Sequence, residues 1–185
     1  MKYYIVALFD EDSYESLNPI QKKVSKKFKA HRNSPLAHIT LNIIENPNME
    51  KLNTIMEKNL KPYKKFKVQT CNNITISESL KNVNLKIENL GYIKKIERNI
   101  NDSLELYGLN SKSISDEDIG ISLANINYIN KDKNGELPST SLEQIKKDST
   151  NMTLKISKFE IWKQSNNKKD ICVKSYPLRL FWKNS

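Results

Sequence analysis

Two short segments of this sequence combine a strand-like pattern with side chains that can act on a phosphate group. The segment HITLNII begins at His38, and the related segment GISLANI begins at Gly120. Each reads X-Ile-[Thr/Ser]-Leu-x-x-Ile, with histidine at X in the first copy and glycine in the second. A duplicated His-x-Thr is one way to build a phosphodiester-cleaving centre from two symmetric strands, and here one of the two histidines is absent.

The chemistry of the repeat depends on its histidine and its hydroxyls. Histidine titrates near neutral pH, so His38 can accept or donate a proton during attack on phosphorus. A hydroxyl two residues further along can donate a hydrogen bond to a phosphate oxygen as negative charge develops there. Thr40 and Ser122 are therefore expected to hold the phosphate from two sides, with His38 beside it. This chemistry requires neither a metal ion nor a cofactor.

Alternation along a strand predicts which side chains share the site. Residues i, i+2 and i+4 lie on one face, so His38, Thr40 and Asn42 are expected to point the same way. The same parity groups four residues of the second copy, which are Asp118, Gly120, Ser122 and Ala124. The apolar residues between them are expected to face a core.

Hydrophobic periodicity predicts the elements that position these segments. An apolar run over 3–9 predicts a first strand, and Asn18 followed by Pro19 is typical of the start of a helix. Helical spacing also predicts a helix after Asn48 and another over 93–107, which Gly108 is placed to end. Further strands are expected at 66–71, 74–77, 83–87, 119–129, 152–162 and 171–182, with a loop over 130–141 and a short helix over 142–147.

The order of these elements indicates the fold class. Strands occur in adjacent pairs as well as across helices, which favours an α+β fold over a doubly wound parallel sheet. We expect one domain over residues 1–185 with two lobes. The lobes are two largely antiparallel sheets related by an approximate two-fold through the repeat strands, with helices on the outer faces and a central cleft.

Composition indicates the class of partner. The 185 residues include 31 basic and 21 acidic side chains, for a net charge of +10. A positive field of this size attracts polyanions, so nucleotide phosphate or RNA is the expected partner. A lysine-rich composition with solvated helix faces explains the same charge equally well. Cys71 and Cys172 belong to no CxxC or Cys/His pattern, so no metal site is expected.

The N-terminal residues predict a strand and not a targeting segment. The opening MKYYIVALFDED contains a short apolar run that is followed at once by acids, unlike a signal peptide. No segment approaches ~18 apolar residues, so no membrane span is expected. We expect a cytoplasmic monomer.

The sequence resembles the 2H phosphoesterase family, which includes bacterial proteins named as 2′-5′ RNA ligases and RNA 2′,3′-cyclic phosphodiesterases. The resemblance rests on the opening strand YYIVALFDED, on HITL at 38–41, on the degenerate GISL at 120–123 and on the closing pair of strands. It implies metal-independent chemistry on a nucleotide or RNA with a cyclic or 2′-5′ phosphodiester. It also implies that His38 is one acid/base, Thr40 its phosphate-binding partner and Ser122 the second phosphate binder.

The departure from the family pattern lies at Gly120, which stands where the second catalytic histidine is expected. One histidine of the family's pair activates the attacking oxygen and the other protonates the leaving oxygen, so the usual relay cannot operate here. Loss of a general acid or base typically costs about 10²- to 10⁴-fold in rate. Asp118 is the strongest candidate for a substitute acid, although an ordinary solvated acid at a strand entry explains it too. His31, the only other histidine, is a weaker candidate.

The sequence leaves three functions open. The first is a metal-independent phosphodiesterase acting on cyclic or 2′-5′ linked nucleotides or RNA ends, impaired by the loss of its second histidine. The alternative is a non-catalytic nucleotide- or RNA-binding protein on the same scaffold. The third is a basic scaffold with protein partners only, which predicts a weak salt dependence for any nucleic-acid interaction.

Overall fold

Apolar patterning determines where strands and helices form in the computed structural model of the chain, which describes residues 1–27, 36–77, 79–125, 151–164 and 170–180. The strands of these ranges are β1 (Lys2–Phe9), β2 (His38–Glu45), β3 (Phe66–Ser77), β4 (Asn82–Ile87), β5 (Ser111–Ser113), β6 (Gly120–Asn125), β7 (Thr153–Gln164) and β8 (Asp170–Pro177). The helices are α1 (Glu11–Lys27), α2 (Met49–Leu60) and α3 (Gly91–Leu106).

The strands form one continuous sheet. They pair in the order β1–β2–β6–β4–β3–β7–β8, and β1 also pairs with β7, so six strands close into a hydrogen-bonded ring. All pairings between these named strands are antiparallel. The predicted α+β class with a largely antiparallel arrangement is confirmed. The two expected sheets are joined into one because β7, with 12 residues, pairs first with β3 and then with β1.

The main core lies between the sheet and the helices. On β1, the alternate residues Ile5 and Phe9 belong to this core together with apolar residues of α1, α2 and α3. Val6 and Leu8 point to the opposite face, where they form a small cluster with Trp162. Each fully buried Leu or Ile contributes about 1.5–3 kcal/mol, so burial of their apolar faces, more than propensity, holds the helices in place.

Helix α1 begins earlier than its sequence suggested. The Asp10 carboxylate accepts hydrogen bonds from the Ser13 backbone N–H at 3.1 Å and from the Ser13 hydroxyl at 2.6 Å. This is an N-terminal cap, so the helix starts at Glu11 and Pro19 lies inside it. The prediction that Asn18 and Pro19 start this helix is therefore wrong.

The other two helices end or begin as predicted. The Asn48 side chain caps α2 by accepting a hydrogen bond from the Lys51 backbone N–H at 3.1 Å. Gly108 follows α3 with a φ of 71°, a left-handed conformation that favours glycine. The short strand β5, which pairs with β2, was not predicted.

The repeat strands β2 and β6 are neighbours in the sheet. Their antiparallel register pairs His38 with Ser122. Continuing this register along the strands sets Thr40 opposite Gly120. Because Gly120 is the counterpart of His38 in the repeat, and Ser122 that of Thr40, the two copies are related by a local two-fold.

Both repeat strands carry a β-bulge just after the hydroxyl residue. Val6 of β1 pairs with Thr40, and its neighbour Ile5 pairs with Asn42, so β2 has one extra residue at this point. In the same way, Asn84 of β4 pairs with Ser122, and its neighbour Val83 pairs with Ala124, so β6 also has one extra residue. The extra residues, Leu41 and Leu123, occupy equivalent places in the two copies.

The bulges reverse the direction of the residues that follow them. The Asn42 amide donates a hydrogen bond of 3.4 Å to Glu97 of α3, on the helix side of the sheet. Ala124 likewise lies in the main core. The prediction that Asn42 shares a face with His38 and Thr40, and Ala124 one with Ser122, is wrong because simple alternation does not hold across a bulge.

Several predictions concern segments outside the described residues. They are the loop over 130–141, the helix over 142–147, the end of the strand predicted at 119–129 and the candidate His31. Among the described residues, no helix has both the length and the apolarity needed to cross a lipid bilayer.

Candidate functional site

The site lies on the face of the sheet that points away from the helices. Its first row runs across three strands, from His38 of β2 to Ser122 of β6 and on to Asn84 of β4. Directly opposite residues of antiparallel strands point to the same face, with Cβ atoms about 4.5–5.5 Å apart. The structure therefore brings His38 and Ser122 together, and it adds Asn84, which sequence reasoning missed.

A second row lies beside the first. Gly120 pairs with Lys86 of β4, and the continued register sets Thr40 on its other side. Lys86 is exposed and, within the described residues, forms no ion pair. Sequence reasoning missed Lys86 as well, because only the pairing of β4 with β6 reveals that it lies beside Gly120.

His38 is neutral at neutral pH. Its Nδ1–H donates a hydrogen bond of 2.8 Å to the Leu36 carbonyl, which can only accept, so Nε2 carries the free lone pair. The imidazole is only 7% exposed. Burial lowers the pKa of His38 from 6.5 to about 4, and the bond to Leu36 only partly opposes this effect. A group with this pKa is a weak base, and without a ligand it carries no positive charge at neutral pH.

Trp162 forms one wall of the histidine's environment. Its ring packs on the imidazole of His38 with centroids 4.6 Å apart and planes at 57°. The indole N–H donates to Glu160 at 2.6 Å, and Glu160 forms an ion pair with Lys158 at 2.8 Å. Burial opposes ionisation of Glu160, but the hydrogen bonds from Lys158 and Trp162 outweigh it and hold the pKa of this carboxyl below its ordinary value. A fixed carboxylate thus orients the indole against His38.

A chain of hydrogen bonds occupies the second half of the site. The Asn84 amide N–H donates to the Asp118 carbonyl at 2.9 Å, which leaves the Asn84 oxygen as an acceptor. The Ser122 hydroxyl donates to that oxygen at 3.3 Å and accepts from the Asn82 amide N–H at 2.6 Å. The single hydroxyl proton of Ser122 is therefore directed at Asn84 and not toward a ligand.

Position 120 has no room for a side chain. A Cβ atom built on Gly120 would lie 2.9 Å from the Asn84 Cβ and 3.0 Å from the Leu85 carbonyl oxygen. Neither contact involves the mobile end of a side chain, so strand β4 itself would have to shift. A histidine at position 120 would therefore require displacement of Asn84 and of the backbone of β4.

Asp118 lies in the turn before β6. Its carboxylate accepts hydrogen bonds from the hydroxyls of Ser79 at 2.7 Å and Ser115 at 2.9 Å. Burial opposes its ionisation, but the surrounding serine hydroxyls outweigh that effect and lower the pKa of Asp118. A carboxylate that stays ionised has no proton to donate, so this arrangement does not support Asp118 as the substitute acid. Within the described residues, no group of three or more His, Cys, Asp or Glu side chains is placed to hold a metal ion.

The two hydroxyls of the repeat differ in their bonding, although both residues are buried. The Ser122 hydroxyl forms hydrogen bonds with the side-chain amides of Asn82 and Asn84. The Thr40 hydroxyl and His38 Nε2 have no hydrogen-bond partner in the described part of the chain. Thr40 is thus the hydroxyl that remains free for a ligand.

This difference predicts opposite behaviour of two similar substitutions. Ser122→Ala should lower the free energy of unfolding by about 1–3 kcal/mol, because it leaves two buried amide groups unpaired. Thr40→Val should change it by less than about 1 kcal/mol, because no hydrogen bond is lost. Urea unfolding of both variants beside the wild type measures the contrast. Equal losses would show that the Ser122 hydrogen bonds contribute nothing specific.

Comparison with solved structures identifies the fold. E. coli LigT complexed with 3′-AMP matches with a TM-score of 0.63 and 12% identity, over 96% of this chain and 97% of LigT. A protein described as a phosphoesterase matches with a TM-score of 0.62 and 10% identity, over 96% and 98%. Usb1 of Kluyveromyces marxianus matches with a TM-score of 0.52 and 14% identity, over 96% and 98%. The sequence matches no protein-family model and no curated protein.

These matches extend over nearly the whole length of both chains in each case. At 10–14% identity they establish the fold and leave the activity open. LigT, the phosphoesterase and Usb1 are members of the 2H phosphoesterase superfamily. The chain therefore has the fold of 2H phosphoesterases, and the resemblance seen in its sequence is confirmed at the level of the fold.

Proposed function

We propose that this protein binds a nucleotide or an RNA end through its phosphate and has lost the two-histidine cleavage reaction. The phosphate would lie against Thr40 and Lys86, beside His38 and Ser122. The observation that carries the proposal is the closure of Gly120 by Asn84, which leaves one imidazole where the relay needs two. A side chain at position 120 would collide with Asn84 and with the backbone of β4, so a second imidazole has no room there.

The second row supplies the groups that a phosphate needs. The Thr40 hydroxyl is an unpaired donor, and Lys86 presents a positive charge on the same face, two strands away. Charge-assisted hydrogen bonds of this kind are roughly twice as strong as neutral ones. The net charge of +10 favours association with anions in general. Similarity to LigT, whose structure contains 3′-AMP, supports a nucleotide as the ligand.

One observation favours a second candidate, a slow phosphodiesterase acting on cyclic or 2′-5′ linked nucleotides. The Nε2 lone pair of His38 is fixed as an acceptor by the bond from Nδ1 to Leu36. It could remove a proton from an attacking hydroxyl or water. With a pKa of about 4, His38 is a much weaker base than a group near pH 7, so this reaction would be slow.

Titration calorimetry with 3′-AMP and with 2′,3′-cyclic AMP tests the binding. We expect Thr40→Val and Lys86→Ala each to weaken binding by about tenfold, since each removes one polar contact to the phosphate. Lys95→Ala is the matched control, because Lys95 is an exposed lysine of α3 away from the site. If the wild type binds neither ligand, or if Lys95→Ala weakens binding as much as Lys86→Ala, the proposed site is wrong.

Hydrolysis of 2′,3′-cyclic AMP, followed by chromatography of the products, separates the two candidates. If the protein only binds its ligand, the wild type and His38→Gln should both show background turnover. Turnover that disappears in His38→Gln while 3′-AMP binding persists would establish the slow phosphodiesterase instead.

A further inference from the structure

A cavity separate from the phosphate site lies on the helix side of the sheet, between α2 and β8. Its volume is about 310 Å³, and its apolar walls come from Leu60, Tyr63, Tyr176 and Pro177. The first three also belong to the main core, so the cavity and His38 lie on opposite faces of the sheet. Ligand pockets in proteins have volumes of about 300–1,000 Å³, largely apolar walls and a few polar groups. The cavity is therefore large enough for one small molecule.

Interactions within the chain hold the two sides of this cavity in place. The Tyr176 hydroxyl donates a hydrogen bond of 2.7 Å to the Asn53 side-chain oxygen of α2. Lys174 of β8 forms an ion pair with Glu57 of α2 at 2.9 Å, and its ammonium lies 5.6 Å from the centroid of the Tyr176 ring. A ligand that enters the cavity does not have to order these side chains, which lowers the cost of binding.

The charges around the cavity are mainly positive. Lys61, Lys174 and Arg179 line it, and Glu57 is the one acid among the described residues that do so. Glu57 is paired with Lys174, whereas Lys61 and Arg179 are exposed and form no ion pair in the described part of the chain. Two cations beside an apolar cavity are thus left without a counter-ion.

We propose that this cavity is a second binding site, which takes a nucleoside monophosphate with its phosphate on Lys61 and Arg179 and its base against the tyrosine-lined wall. Guanidinium and ammonium groups form charge-assisted hydrogen bonds with phosphate oxygens. A bare anion would leave the apolar wall in water, and a neutral aromatic molecule would leave both cations unpaired. The inference does not rest on the proposed function, because the two sites lie on opposite faces of the sheet.

The direct test uses the double variant Thr40→Val/Lys86→Ala, which removes the phosphate contacts of the first site. We expect this variant to bind adenosine 5′-monophosphate with one-to-one stoichiometry in titration calorimetry. Adenosine and inorganic phosphate should each bind at least about tenfold more weakly, because each lacks one of the two parts that the cavity recognises. Absence of binding by adenosine 5′-monophosphate, or equal binding of either fragment, overturns the proposal.

A pair of variants in the same background assigns the binding to the cavity. Lys61→Gln/Arg179→Gln should weaken binding of adenosine 5′-monophosphate at least about tenfold, since both phosphate contacts are lost. Lys51→Gln/Lys95→Gln is the matched control, because it removes the same charge from two exposed lysines of α2 and α3 that do not line the cavity. Equal weakening by the two variants would reduce the effect to the general positive field of the protein and overturn the site.

Glu57→Gln is expected to act in the opposite direction. It removes the acid from the cavity lining and frees Lys174 for the phosphate, so binding of adenosine 5′-monophosphate should become about threefold tighter. Partial unfolding cannot produce a gain in affinity, and an unchanged or weaker affinity would contradict the role of these cations. The Thr40 and Lys86 variants test the first site and the Lys61 and Arg179 variants test the cavity, so failure of either assignment leaves the other standing.

Discussion

Replacing Gly120 by histidine is expected to destabilise this protein without restoring phosphodiesterase activity. The contacts of 2.9 Å to the Asn84 Cβ and 3.0 Å to the Leu85 carbonyl leave no room even for a methyl group. Overpacking of a buried site costs about 1–3 kcal/mol, so Gly120→Ala should already lower the free energy of unfolding by that amount. Gly120→His should lower it further, as measured by urea unfolding or by the melting temperature.

A second substitution tests whether Asn84 is the cause. Asn84→Gly removes the Cβ that lies closest to Gly120, so Asn84→Gly combined with Gly120→His should be more stable than Gly120→His alone. It should also hydrolyse 2′,3′-cyclic AMP measurably where the wild type does not, since a general acid or base contributes about 10²- to 10⁴-fold. Gly91→Ala is the matched control, because the nearest atom to its added Cβ is the movable end of Asn89 at 3.3 Å. If Gly120→Ala is as stable as the wild type, the position is not closed.

Lowering the pH from about 6.5 to about 4 should reduce the stability of the wild type by about 3 kcal/mol through His38 alone. The folded-state pKa of about 4 lies below the ordinary value of 6.5 because burial disfavours the charged ring. Between these values the unfolded chain binds a proton that the folded protein does not, so acidification favours unfolding. The contribution of His38 is fully present above pH 6.5 and is lost as the pH falls to about 4.

Urea unfolding at several pH values across this range measures the effect. His38→Gln removes the titrating ring, so its stability should change by about 3 kcal/mol less than that of the wild type over the same range. Every other titratable group is common to both proteins, and the carboxyls of Asp10, Asp118 and Glu160, with lowered pKa values, titrate below their ordinary range. Parallel pH profiles for the two proteins would mean that His38 is accessible to water and not buried as described.

Local patterns in the sequence predicted most elements correctly. The apolar run of β1, the cap of α2 at Asn48 and the end of α3 at Gly108 depend on neighbouring residues alone. The predictions were wrong where a contact with a residue distant in sequence, or an irregularity in strand pairing, determined the structure. The segments predicted as separate strands at 66–71 and 74–77 form one strand, β3, because the pairing with β4 passes over a register shift between Thr70 and Ile74.

The same contrast between local sequence patterns and distant contacts holds for the candidate site. The repeat predicted His38, Thr40 and Ser122 as site residues, and the structure places His38 directly opposite Ser122. Asn82, Asn84, Lys86 and Trp162 were not assigned to the site, because each lies on a strand whose pairing partner is far away in the chain. Their own segments carry no motif that could have revealed a role.

By itself the sequence determined that two related strands exist, that one carries a histidine and the other does not, and that the fold is α+β. These properties depend on residue type and periodicity over a few neighbouring positions. Only the tertiary structure decided that Gly120 has no room for a side chain, that His38 is too buried to hold a proton at neutral pH and that Asn82 keeps an unpaired oxygen. Each of these depends on the packing of β4 and β7 around the repeat strands, and such close contacts are set by the whole sheet.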